Sequence, residues 1–180
     1  TAALLWGAAC ATFAPAPPGA LERAAASSSW SGSLRVTVKG ELLRGRSRAL
    51  VAFRRPDGLR IEIPGPAGAR LVAVARGGRL TAVLPGERAY LETGATPDDL
   101  EALIGIPLAP SALMDLVLGV APAGARAYRA SWGETLPRRV EATLADGTSV
   151  ALSVDDAEAG LELPRAAFDP PPHASFRRID

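Results

Sequence analysis

From Trp30 onward, apolar and polar residues alternate with a period of two, in short runs separated by strong turn signals. Leu34, Val36 and Val38 face one way while Arg35, Thr37 and Lys39 face the other, the pattern of a half-buried strand. A second strand is predicted over 47–54. Pro56-Asp57-Gly58 supplies a turn, because proline presets φ and glycine tolerates the left-handed region. Leu59, Ile61 and Ile63 then alternate with Arg60 and Glu62, and Gly65-Pro66-Ala67-Gly68 forms a loop. Residues 71–75 are apolar throughout. Such a strand needs cover on both faces as a core strand, or lines an interior cavity. Gly77-Gly78 turns the chain into 80–84, and Pro85-Gly86 turns it again into 89–92. The result is an antiparallel meander.

The period then changes. Thr96 is a helix cap, Pro97 suits the first helical position, and Asp98 and Asp99 complement the helix dipole. Leu100, Leu103 and Ile104 follow helical spacing, and Gly105 ends the turn. After Ile106-Pro107-Leu108, Ser111 is expected to cap a second helix carrying Leu113, Leu116 and Val117 on one stripe, with Gly119 closing it. Both helices are strongly apolar and need a surface to pack on. Strands resume over 125–132 and around Val140, Ala142 and Leu144. Asp146-Gly147 then makes a hairpin turn into Val150, Leu152 and Val154. A last short strand is expected over 161–163, with an extended end from Asp169 that wraps the body or trails. The fold class is therefore α+β, mainly β: a strongly curved antiparallel unclosed β-barrel with short helices plugging its concave side.

The first residues read differently. Thr1 to Cys10 looks like a secretory apolar region running into small residues, Gly7-Ala8-Ala9, before a cysteine. Two readings stand: a lipobox remnant with Cys10 acylated, or a leader with an incidental thiol. Pro15, Pro17 and Pro18 suggest a semi-rigid spacer over 11–29 that ends in a short helix over 20–26, with the folded domain spanning 30–180. No apolar run reaches the roughly 20 residues of a membrane-spanning helix.

Composition narrows the chemistry. An apolar fraction of 48 % supports a sizeable core, and a net charge of +1 gives no electrostatic case for nucleic acid. Cys10 is the one cysteine, so an intramolecular disulfide and a cysteine zinc cluster have no residues to use; His173 is the one histidine, and Ser-His or Cys-His catalysis would have to be built on its Pro-rich end segment. No catalytic residue, metal site or cofactor is expected, and the chain reads as a non-enzyme. Asp98-Asp99 fit a capping role. Asp155-Asp156 with Glu158 lack the ligand spacing of a calcium loop and read as a solvated loop. Arg44, Arg46 and Arg48 alternate along one edge, with Arg54 and Arg55 nearby. They form either a solvated face that discourages edge pairing or a contact for anionic headgroups.

At the helical pair the sequence resembles a known family. Gly105-Ile106-Pro107-Leu108, then Leu113, then Leu116-Val117-Leu118-Gly119, is similar to the helix-linker-helix signature of the LolB-type outer-membrane lipoprotein receptors. The opening Trp30-Ser31-Gly32-Ser33-Leu34 and the final hairpin group agree, so the resemblance covers about residues 30–168. It implies an apolar cavity under a helical lid. The expected cavity residues on strands are Val36, Phe53, Ile61, Leu71, Ala73, Leu80, Leu91, Val140 and Leu152. On the helices they are Leu100, Leu103, Ile104, Leu113, Leu116 and Val117.

The resemblance further implies a monomer held at the periplasmic face of the outer membrane through Cys10. Its partners would be lipoprotein acyl chains and a soluble LolA-type chaperone that delivers them. One departure stands out: the family's membrane-inserting loop carries an exposed leucine, and the matching triplet here is Pro66-Ala67-Gly68. A carrier of free lipid or another hydrophobic ligand, similar to the LppX-like lipoproteins, is the alternative. A periplasmic sensor or assembly protein on the same fold is the other.

Overall fold

The computed structural model describes residues 13–179. The chain runs through α1 (Ala20–Ala25), β1 (Ser29–Lys39), β2 (Arg44–Arg54), β3 (Gly58–Gly65), β4 (Gly68–Arg76), β5 (Arg79–Leu84) and β6 (Ala89–Gly94). Next come α2 (Pro97–Ile104), α3 (Pro110–Val117), β7 (Ala127–Trp132), β8 (Pro137–Thr143), β9 (Ser149–Ala159) and β10 (Arg177–Arg178). The strands form one sheet in the order β10-β6-β5-β4-β3-β2-β1-β9-β8-β7. Short turns build the meander β1 to β6. The two helices then carry the chain to the far edge, and β9 returns to pair with β1. The sheet is curved and unclosed, mainly β with short helices, as the alternating pattern predicts. All its pairings are antiparallel except β10 with β6.

Several local expectations are corrected. β2 begins at Arg44 rather than Ser47 because β1 offers it backbone partners down to Lys39. It is also an interior strand, so Arg44, Arg46 and Arg48 do not lie on a sheet edge; only its first half lacks a β3 partner. Asp155 to Glu158 belong to β9 rather than to a loop: β9 continues past a bulge at Ser33/Leu34, which leaves Asp155 out of register and ion-paired with Arg35 at 2.9 Å. α3 starts two residues early, with Pro110 in its first turn and Ala109 at the cap, so Ser111 is helical and caps nothing. Proline's fixed φ is already helical, and its missing N–H is one the helix start leaves unused anyway. Residues 161–163 form no strand.

The Pro-rich stretch does not stand clear of the domain over its described part. Trp132 N–H on the edge strand β7 donates to Ala14 O at 3.1 Å, and the Arg129 guanidinium lies 4.3 Å over the Phe13 ring. An edge strand's free N–H groups attract such cover. Cys10 lies outside the described residues.

Parity along the strands sorts the sheet into two faces. The inner face carries Leu34, Val38, Val51, Phe53, Ile61, Ala73, Leu80, Val140 and Leu152, packed with α2 and α3 into one core. On the outer face a second, small core joins Val72 and Val74 to Phe168, with Leu163 and Ala167 from the chain's end.

Candidate functional site

The inner face is closed at one end and open at the other, and the register shows why. Across the closed end, Trp30 pairs with Phe53, Phe53 with Leu59, Leu59 with Ala75 and Ala75 with Leu80. The Trp30 and Phe53 rings stack at 6.1 Å between centroids. This row of large side chains fills the space between sheet and helices.

Toward the other end the strands part. The β2–β3 ladder stops at Leu50 opposite Glu62, while β1 and β2 stay paired to Lys39 opposite Arg44. Pro64, just beyond on β3, has no N–H to donate. A bulge at Ile63/Pro64 leaves Arg70 of β4 without a partner in the ladder. Bulges commonly re-aim a side chain beside a site.

Between the parted strands and the helices lies a cavity of about 560 Å³. Its sheet wall is Leu34, Val36, Val38, Ala49, Val51, Ile61, Ile63, Leu71, Leu84 and Leu152, and its roof is Leu103, Ile104, Ile106, Leu113 and Val117. Leu43, Arg44, Gly45, Arg46, Ser47, Arg70 and Glu87 form the rim. The volume is in the range of small-molecule sites, and polar groups are confined to the mouth.

Of the residues expected on the cavity, Val36, Ile61, Leu71, Leu103, Ile104, Leu113, Val117 and Leu152 are brought together on its wall. Phe53 and Leu80 are in the closed-end row instead, where aromatic bulk leaves no void. Ala73, Val140, Leu100 and Leu116 are buried in the packing between helices and sheet. Leu91 is half-buried on β6 opposite Ala82, away from the wall. Pro66, Ala67 and Gly68 form the exposed β3–β4 turn. Leu34 and Val38 share Val36's parity and were findable from alternation alone. Leu43, Ile106 and Arg70 were not: their places depend on a turn, a linker and a bulge.

The roof is fixed by polar contacts at its ends. Thr96 and Asp99 form a capping box at the start of α2, with Asp99 N–H donating to Thr96 Oγ1 at 3.2 Å and Thr96 N–H to Asp99 Oδ2 at 3.1 Å. Thr93 Oγ1 also donates to Asp99 Oδ1 at 2.6 Å, and this bond, then the one from Thr96, holds the Asp99 carboxyl below the usual carboxylate range. α3 is held by an ion pair between Asp115 and Arg55, whose Nε is buried without a partner. Just past α3, Gly119 O accepts from Tyr128 OH; burial pushes that phenol up to about 12.

No protein-family model matches the chain, and no curated protein matches it. Solved structures do resemble it in shape. An uncharacterized conserved protein from Thermus thermophilus matches with a TM-score of 0.49 and 14 % identity, over 89 % of this chain and 96 % of that one. The LolA superfamily protein NE2245 from Nitrosomonas europaea gives 0.49 and 12 %, over 87 % and 99 %. A putative outer membrane lipoprotein-sorting protein domain from Vibrio parahaemolyticus gives 0.44 and 10 %, over 83 % and 94 %.

Chemically, the site holds little. No cluster of His, Cys, Asp and Glu fit for a metal ion occurs among the described residues. His173 is not among the residues of the cavity wall: its ring meets Tyr90 at 4.6 Å and its Nε2 lies 3.8 Å from Glu92. Among the described residues, no helix is long and apolar enough to cross a membrane.

Proposed function

We propose that this chain is a carrier, not an enzyme, and that its cavity shelters an acyl chain. The observation that carries the reading is the cavity itself: aliphatic on sheet and roof, with polar groups confined to its mouth. Each sheltered methylene contributes on the order of 0.8 kcal/mol, so an apolar pocket of this kind binds lipid with no specific polar contact inside. Capacity follows from size. At about 30 Å³ for a water-sized group, 560 Å³ holds on the order of 18 methylenes. That is one chain; a larger acyl cargo requires the α2–α3 roof to lift.

Within this reading, receipt of lipoproteins from a LolA-type chaperone is supported by the Gly105 to Gly119 pattern, whose residues build the roof. The receptor would sit at the periplasmic face of the outer membrane, acylated at Cys10. Incubation with a chaperone loaded with a labelled lipoprotein tests it. The label is expected to pass to this chain and co-purify with it; label that stays on the chaperone at equilibrium rules out the receptor role. A specific observation favours carriage of free lipid instead: Ala67 gives the exposed β3–β4 turn a single methyl. Mass spectrometry of ligand extracted from the purified chain separates the two, with phospholipid or fatty acid favouring the free-lipid carrier.

A further inference from the structure

The β1–β2 turn (40–43) stands at the open end of the cavity and carries the two most exposed large apolar side chains among the described residues, Leu42 at 68 % and Leu43 at 45 %. Single exposed leucines are ordinary on protein surfaces. Here, however, the two are adjacent, at the tip of a long hairpin, and one of them belongs to the cavity. Leu43 lines the cavity rim, and it packs so closely on Gly105 at the end of α2 that a Cβ there would lie 2.6 Å from Leu43 Cβ. The tip is closed by a backbone bond, Gly40 N–H donating to Leu43 O at 2.9 Å. Apolar tip, roof and mouth are thus contiguous.

The charge around the tip is basic. Lys39, Arg44 and Arg46 flank the leucines against Glu41 alone, and none of the three cations is in an ion pair among the described residues. Arg46 Nε donates to Thr37 Oγ1 at 3.4 Å and Arg44 Nε to Gly40 O at 3.3 Å, which leaves most of both guanidinium groups free. The β3–β4, β5–β6 and β8–β9 turns share this end of the sheet, with Arg70 on β4 just past the first, Glu87 and Arg88 in the second and Asp146 in the third. The structure also separates the five arginines read together from sequence. Arg48 is bonded to Ser33, Arg54 to Leu163 O and Arg55 to Asp115, and none of these three lies at the tip.

We infer that the β1–β2 tip docks this protein on an anionic bilayer surface, with Leu42 and Leu43 entering the headgroup–acyl boundary and Lys39, Arg44 and Arg46 on lipid phosphates. Docked this way, the cavity mouth opens directly onto the membrane, and an acyl chain crosses between them without meeting bulk water. The β3–β4 turn with Ala67 is at the same end but offers far less apolar area. This docking does not depend on what fills the cavity.

The test uses the full chain carrying Cys10→Ser, so that no acyl anchor contributes, and vesicles of phosphatidylcholine with or without phosphatidylglycerol. Sedimentation is expected to show binding to the anionic vesicles that weakens with salt. Leu42→Glu should weaken it at least about tenfold, and Arg44→Glu with Arg46→Glu by on the order of tenfold or more. Both sites are exposed, and thermal melts check that the variants stay folded. A Leu42→Trp variant should show a vesicle-dependent blue shift in emission beyond that of the parent. Unchanged sedimentation of Leu42→Glu, or no added shift from the introduced indole with excess anionic vesicles, overturns the proposal. Retained acyl-probe binding in the Leu42 variants, which lie off the cavity lining, would show that the cavity reading survives its failure.

Discussion

The two faces of β4 carry the same kind of residue and end in different surroundings. On the outer face, Val72 and Val74 are sealed by Phe168, with Leu163 and Ala167 beside it. The chain's end is tied there by Arg76 to Asp169 at 2.6 Å and by Arg60 to the Asp169 carbonyl at 3.4 Å. Phe168 packs closely on Gly58: a Cβ there would lie a tight 3.2 Å from the ring. On the inner face, Ala73 and Ala75 are packed solid, yet Leu71, next along the strand, faces open space. An apolar stripe therefore says only that cover is needed. Whether the cover is the protein's own or a ligand's is decided by what lies opposite.

That contrast can be broken at either face. The largest effect is expected from Phe168→Ala, which removes the outer plug and should cost about 3–5 kcal/mol in denaturant melts. Affinity for a fluorescent fatty acid in the folded protein should be unchanged; a large affinity loss would show that the two faces are not independent. Val36→Trp works on the opposite face. Filling a void rather than packed core, it should change stability by less than about 1.5 kcal/mol while removing most probe binding in titrations.

Smaller effects concern the roof. Thr96→Ala deletes the α2 cap and should cost about 1 kcal/mol. Its partner Asp99 has a depressed pKa, so this group's stabilisation is present above the ordinary aspartate range and is lost as pH falls through the folded-state value. The gap between parent and Thr96→Ala melting temperatures should accordingly narrow in acid; a gap that widens would reverse the assigned sign. The smallest stability change is expected for Asp115→Asn, about 0.5–1 kcal/mol for a partly exposed ion pair, with faster probe dissociation in stopped flow as α3 loosens.

How much of this was legible in the sequence follows the same divide. Alternation gave the meander, and Thr96, Pro97 and Gly105 gave α2 to the residue, because those signals are local. The inner-face stripe was visible at Val36 and Ile61 for the same reason, whereas residues 71–75, apolar throughout, did not show which face Leu71 takes. Which of its members would border a void was not, since that depends on cross-strand rows: Phe53 falls opposite Trp30 and Leu59 and fills its row, while Leu71 falls opposite Ile63 where β2 has already parted from β3. Phe168 was missed as a plug because its partners lie a hundred residues away. Arg70 was missed because a bulge, not the strand period, places it.

The central claim is that the inner-face space is a binding site for one acyl chain, not a packing defect. Native mass spectrometry of the purified chain titrated with palmitate tests it most directly. The account predicts a saturable one-to-one complex that Val36→Trp abolishes and Phe168→Ala retains. No saturable complex, or the same complex in Val36→Trp, would contradict it.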